Sequence, residues 1–323
     1  MAVTPGGRIL AAEYNSLQSR IQRVLGNGQS TFGYGQVVSS SQVGRNSSVT
    51  SAKLVKLRDD LGKAYTHQTG DTVSNVLTLI QPGDIIGALE SDGDTTKGFQ
   101  DYIDLTSTIE TNRFNIDASQ TETEDAVVTD TRSTSWSRIA VISEVNLSFP
   151  SANARRHFFN AGGLLRISGE IDNLGAGTPS YARNLGWKQI VENPGYISFG
   201  RSFISLTNPG TLNSSFPQGF SYGNDQLTDT YTEIFRKGAS GAVYSNSYWS
   251  VAARSPSSST IRFRITLVDD GPESDSDGLA PGSVYGGINE PVTADIKMRY
   301  GGMRSAGAVD VPFPTFSIVN SFQ

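Results

Sequence analysis

The chain has 323 residues, a formal net charge of -5, 37% hydrophobic residues, two histidines and no cysteine. The length suffices for two or three compact units, and the acidic balance argues against a protein that grips the DNA backbone. Absent cysteine removes disulfides, thiolate catalysis and zinc–thiolate sites, and two histidines rule out a three-His metal site and make a His-based triad an unfavourable reading.

The opening residues MAVTPGGRIL hold no apolar core of signal-peptide length. No stretch approaches the roughly 18 to 20 apolar residues of a membrane span. The expectation is a protein made in the cytosol without membrane insertion. Residues 9–25 carry Leu10, Tyr14, Leu17, Ile21, Val24 and Leu25 in alternating steps of four and three, the seam of a helix packed on a helix. Gly26 is placed to end it in the left-handed conformation. A Gly/Ser-rich loop with Phe32 and Tyr34 follows. Its glycines, Gly26, Gly28, Gly33 and Gly35, do not make a dinucleotide fingerprint, because no buried strand precedes them and no acidic residue follows at a suitable distance. Thr50 or Ser51 can cap a second helix over about 52–65, where Leu54, Leu57, Leu61 and Ala64 repeat the spacing. Two such seams predict a helical hairpin that packs on itself or on copies of itself. His67 is placed as a C-terminal helix cap.

Residues 71–90 hold short apolar runs split by Pro82-Gly83. A third amphipathic helix is predicted over 96–112 from Phe99, Tyr102, Ile103, Leu105 and Ile109. The run IDASQTETEDAVVTDTRSTS (116–135) is polar and reads as a linker or an exposed edge. From Trp136 the period becomes two. Strands over 138–149 and 164–171 flank a short helix, SANARRHFFN, and Gly162-Gly163. Here Phe158 and Phe159 are expected to anchor the helix over a sheet edge, and Arg155-Arg156-His157 to form its surface face. Gly162-Gly163 lets Leu164 re-enter the sheet where a side chain would obstruct the backbone. Another short helix is predicted at 181–193, then strands within 196–206, 229–236, 242–255, 260–268, 292–300 and 313–322. In TIRFRITLV, Ile261, Phe263, Ile265 and Leu267 share one face, and Arg262, Arg264 and Thr266 the other, which is wet or faces a partner.

The predicted fold class is α+β, an N-terminal helical hairpin module followed by a mainly antiparallel β-sandwich with one or two short helices. The predicted divisions are a helical docking module at 1–70, a helix plus polar linker at 71–135, and the β-rich domain at 136–323.

The most site-like cluster is the acidic turn Asp269, Asp270, Glu273, Asp275 and Asp277. Glu273 to Gly278 imitates the first half of a calcium loop, but the twelfth position is Val284 rather than the Glu that completes coordination. A solvated hairpin tip is the plain alternative. Trp187, Tyr244, Tyr248 and Trp249 line either a carbohydrate platform or, as the favoured reading, a core or subunit interface. No nucleophile-elbow motif occurs. The expectation is no enzyme, no catalytic residue and no cofactor. The residues expected to carry structure or interface are Phe158, Phe159, Gly162, Gly163, Leu17, Ile21, Leu54 and Leu61.

Two stretches carry a resemblance. EYNSLQSRIQRVLGNG…FGYGQ…SSSQV with LVKLRDDLGKAYTHQTG resembles a module of virion structural proteins of tailed phages, notably those infecting cyanobacteria. FPSANARRHFFNAGGLLRISGEI, through Ala154, Arg155, Phe158, Phe159, Asn160, Ala161, Gly162 and Gly163, resembles a segment recurring in the same group, and the preceding NRFNIDASQTE and Trp136 fit that arrangement. The resemblance covers most of the chain up to about residue 200. It implies a tail, neck, baseplate or fibre component located in the virion, and no catalytic residue. The expected partners are other virion proteins and copies of itself in a homotrimer or ring, with no nucleic acid and no membrane. A host-surface glycan-binding tail protein and a capsid decoration protein are the alternatives.

Overall fold

A computed structural model describes residues 9–45, 47–79, 98–137, 140–208, 223–238, 247–269 and 291–322. The chain forms two units. A helical unit takes Met1–Glu122, Asn153–Gly163 and Arg304–Phe313, and a β unit takes Thr123–Ala152, Leu164–Met303 and Pro314–Gln323.

The helical unit contains α1 (Ala11–Leu25), α2 (Ser51–Thr69), α3 (Phe99–Thr111) and most of α4 (Ala152–Asn160). The seams predicted on the first two helices are closed against each other and against α3. Leu17, Ile21, Leu54 and Leu61 are all buried there, with Phe99, Tyr102 and Ile109 from the third helix. Each such burial contributes roughly 1.5–3 kcal/mol. The predicted hairpin is therefore one part of a three-helix packing. Glu110 on α3 receives Arg20 and Arg23 of α1, each at 2.7 Å.

The Gly/Ser loop is tied down rather than free. The buried Asp60 carboxylate accepts the backbone N–H groups of Ser39 at 2.9 Å and Ser40 at 2.7 Å. Asn15 bonds both the N–H and the carbonyl of Val43. Phe32 lies between the guanidiniums of Arg23 and Arg113, at 4.1 and 4.4 Å from its centroid. Gly26 is not left-handed (φ -81°). A side chain there would meet the Gln22 carbonyl at 2.6 Å, so close approach is what the position requires.

Helix α2 runs a turn beyond its predicted end, to Thr69, and Gly70 (φ 75°) terminates it in the left-handed conformation. His67 is consequently not a cap. It stands three residues after Ala64 on the same seam and is fully buried, edge-on to Tyr34 with ring centroids 4.9 Å apart. Helix α4 also departs from expectation. Arg155 and His157 are buried, not a surface face. Nε2 of His157 bonds the Asn27 carbonyl at 2.9 Å, and Arg156 donates to the same oxygen at 2.5 Å. Phe158 packs edge-on to Phe159 and to Phe313. These contacts draw the helix into the helical unit, where the sequence suggested an anchor over a sheet edge. Gly162 (φ 88°) is the turn residue after it, and a side chain on Gly163 would meet the Phe158 ring at 2.7 Å.

Among the described residues the β unit is a sandwich of two five-stranded sheets with one α-helix, α5 (Tyr181–Glu192). The strands are β1 (Thr121–Arg132), β2 (Ala140–Ser148), β3 (Leu164–Asp172), β4 (Ile197–Phe199), β5 (Ile204–Leu206), β6 (Thr232–Gly238), β7 (Tyr248–Ser257), β8 (Thr260–Val268), β9 (Asp295–Ser305) and β10 (Thr315–Asn320). One sheet has the order β1-β9-β3-β4-β5, the other β10-β2-β8-β7-β6. The α+β class with an antiparallel sandwich stands. β8 alternates as its sequence dictates, with Ile261, Phe263, Ile265 and Leu267 buried. Phe263 meets Phe199 of the facing sheet edge-on at 5.3 Å. Trp249 is fully buried and donates its indole N–H to the Ile190 carbonyl of α5 at 2.8 Å. Trp187, on the same helix, packs on Trp136 at 4.9 Å.

Of the two readings of the polar run, the exposed edge holds and the linker does not: the run includes β1, a twelve-residue strand at the rim of its sheet. Nor does one break near residue 135 divide the chain, since α4 and the segment Arg304–Phe313 both return to the helical unit.

Candidate functional site

Alternation on β3 sends Leu165, Ile167 and Ile171 inward and leaves Arg166, Ser168 and Glu170 on the outer face. On β9, Ile296, Met298 and Tyr300 are buried, and Lys297 and Arg299 lie outward. In register, Arg166 stands opposite Gly301. The central strand thus carries no side chain where its neighbours carry charged ones. The result is a trough of about 120 Å³ over Gly301 and Gly302, walled by Glu124 and Asp125 on β1, Arg166 and Ser168 on β3, Tyr196 and Arg299. A shallower depression of about 390 Å³ shares Ser168, Tyr196 and Arg299 and continues to Lys188, Glu192 and Gly195.

Much of the charge along this line is committed. Arg299 is ion-paired with Glu170. Lys188 reaches Glu192 at 2.6 Å and the Ile171 carbonyl at 3.1 Å, and Glu192 accepts the Ile171 N–H at 2.9 Å. The β3–β4 pairing stops at Ile167. These α5 side chains therefore cover a strand edge that would otherwise be bare. Arg166 is different: its guanidinium lies over Tyr196, 5.2 Å from the centroid, and its buried Nε has no hydrogen-bond partner among the described residues. Glu124 and Asp125 are exposed and form no ion pair among them.

The outer face of the second sheet carries a different cluster. Glu144, 4% exposed, accepts from the Tyr231 hydroxyl at 2.6 Å, Arg264 at 2.8 Å and Asn320 at 2.5 Å. Burial pushes its pKa up, but those hydrogen bonds and the Arg264 charge together hold it below the ordinary glutamate value. Arg264 and Arg254 both lie on the Tyr231 ring, at 3.8 and 4.6 Å. Arg262 bonds Asn146 at 2.6 Å. The carboxylate is saturated with donors, so the cluster clamps β10 and the Tyr231 segment to the sheet and offers no nucleophile. Inside the sandwich, Asp130 likewise accepts from Ser143 and Ser321, each at 2.6 Å.

In the helical unit, burial lowers the His67 pKa from 6.5 to about 4, the nearby Ala161 backbone opposing it. Neither ring nitrogen makes a hydrogen bond of good geometry among the described residues. Burial lowers His157 in the same direction, against the Asn27 carbonyl.

Of the residues singled out in the sequence, Leu17, Ile21, Leu54, Leu61, Phe158, Phe159, Gly162 and Gly163 come together in the helical unit. Asp269 is no hairpin-tip ligand: it is buried and ion-paired with the buried Arg183. Asp270, Glu273, Asp275, Asp277 and Tyr244 lie outside the described residues. Among the described residues no group of three or more His, Asp or Glu is arranged to hold a metal ion, and no helix is long and apolar enough to cross a membrane. Trp187 and Trp249 are core residues. The trough was not anticipated. Its sequence signal is a Gly-Gly pair inside an alternating strand, a pattern that marks close approach of another molecule or backbone. No family model, curated protein or solved structure matches the chain.

Proposed function

We propose that the chain is a non-enzymatic structural component of a tailed-phage virion, a tail, neck, baseplate or fibre protein that docks through its helical unit and assembles as a symmetric oligomer, a trimer or ring. The resemblance of the 13–70 and 149–171 stretches to virion modules supports the particle. The observation that carries the oligomer is β1. It is the outermost strand of its sheet, and Glu122, Thr123, Glu124, Asp125, Val127, Thr129 and Thr131 are exposed along it. A long bare edge of this kind is a template for another strand, and a second copy of the chain is the occupant proposed.

Light scattering after gel filtration tests this. The native protein should elute as a trimer or larger ring, and Val127→Lys, at a position 42% exposed, should shift it toward monomer without changing its melting temperature. A native protein that stays monomeric at high concentration, with antibody that never labels phage particles, would refute the reading. A second reading, a virion protein that also binds a host-surface glycan, is favoured by the trough on the first sheet.

A further inference from the structure

We infer that the trough over Gly301 is a binding site for an acidic saccharide, with the ligand carboxylate on Arg166 and its hydroxyls on Asp125, the β1 carboxylate on the face opposite the inward Asp130. The inference rests on the glycan-binding reading and is independent of where the protein sits in a particle. The floor is the first reason. Gly301 lies on the outer face opposite Arg166 and adopts none of the left-handed backbone that would require glycine, so the strand's own path does not explain it, and its missing side chain leaves room for another molecule. The span is the second. β1 and β3 flank β9, two strand spacings or about 10 Å apart, and among the described residues Arg166 makes no ion pair across that gap, which leaves a ligand to bridge it. The third reason is charge. Arg299 and Lys188 already have carboxylate partners, whereas Arg166 offers an uncommitted planar fork suited to a carboxylate.

Competing chemistries fit less well. A bare anion such as phosphate would face the Asp125 carboxylate, a cation would face Arg166, and a neutral sugar would leave the guanidinium unpartnered. A uronic or sialic acid satisfies both walls, since carboxylate side chains accept from sugar hydroxyls. The trough and its neighbouring depression of about 390 Å³ together reach the size of ordinary ligand sites, roughly 300–1,000 Å³. The ligand is therefore a segment of two or more sugar residues.

Isothermal titration of the full chain with trigalacturonate, trimannuronate and sialyllactose, with maltotriose and inorganic phosphate as controls, tests the site. At least one acidic sugar should bind and both controls should not. Arg166→Ala should weaken binding roughly 10- to 100-fold, the loss of a charged hydrogen-bonding partner. Gly301→Val should abolish it by filling the trough, and Arg262→Ala, on the other sheet, should leave it unchanged. If no acidic sugar binds, if phosphate or maltotriose binds equally well, or if Arg166→Ala binds like the native chain, the inference is wrong. Should Gly301→Val fail to fold, Arg166→Ala, a half-buried outward residue, still decides. Failure here leaves the oligomer test untouched, so the two readings fall separately.

Discussion

Acid should loosen the helical unit through His67. Burial keeps this ring neutral in the folded protein, with a pKa of about 4 in place of 6.5. Below pH 6.5 the unfolded chain therefore takes up a proton that the folded chain refuses. Stability from this residue is full above pH 6.5, declines as the pH falls, and levels off below about 4. The linked loss is about 0.8 kcal/mol at pH 6 and about 2 kcal/mol at pH 5, approaching about 3 kcal/mol at the limit. His157 is shifted the same way and adds to the total, so a variant is needed to isolate His67. His67→Leu keeps an apolar side chain against Tyr34 and removes the titration. At pH 7.5 it should sit within about 1.5 kcal/mol of the native protein, as volume-conserving swaps do. At pH 5 it should have gained about 2 kcal/mol relative to the native chain. Amide hydrogen exchange of α2, at pH 7.5, 6 and 5, reads this unit directly, since the tryptophans Trp136, Trp187 and Trp249 all report on the β unit. If His67→Leu loses protection between pH 7.5 and 5 as steeply as the native protein, the buried neutral imidazole is not the cause.

Two further outcomes follow from the packing. Glu144→Gln removes the charge that Arg264, Tyr231 and Asn320 converge on, and should cost about 2–3 kcal/mol in urea denaturation monitored by tryptophan fluorescence. Because its folded pKa is lowered, the native advantage should be present above about pH 4.5 and shrink as the pH falls further. Gly163→Ala sets a methyl 2.7 Å from the Phe158 ring and should lower stability by about 1–3 kcal/mol through overpacking. Gly163→Val should prevent soluble folding, and a normally melting Val variant would show that the ring can move aside.

The helices were legible because their seams repeat every three and four residues, and burial followed those seams to the last turn of α2. The seam also explains the error at His67. Polar residue types suggest a helix end, but position 67 lies on the buried stripe, and geometry prevails over residue type. β8 was legible because one face is apolar and the other charged. β1 was legible only as an exposed edge left open beside a linker, because TETEDAVVTDTR is largely polar on both faces and a period-two signal needs contrast between them. The short helix α4 is legible as a helix, but its neighbour is not. Amphipathicity says which face is buried and is silent on what buries it. The trough depends on the pairing of Arg166 with Gly301, a contact spanning most of the β unit in sequence. Only the glycine pair within β9 hinted at it locally.

The return of Arg304–Phe313 to the helical unit bears on how the protein is made. Glu122 leaves the ribosome well before Arg304 does, by about 10–35 s at 5–20 residues per second. Throughout that interval the first three helices lack Phe313, the ring that packs on Phe158, and for part of it they lack α4 as well. They must wait, incompletely covered, while nearly all of the β unit is synthesised. A chain stopped after Met303 would lack both this closing segment and β10, and should fold no better than one stopped far earlier.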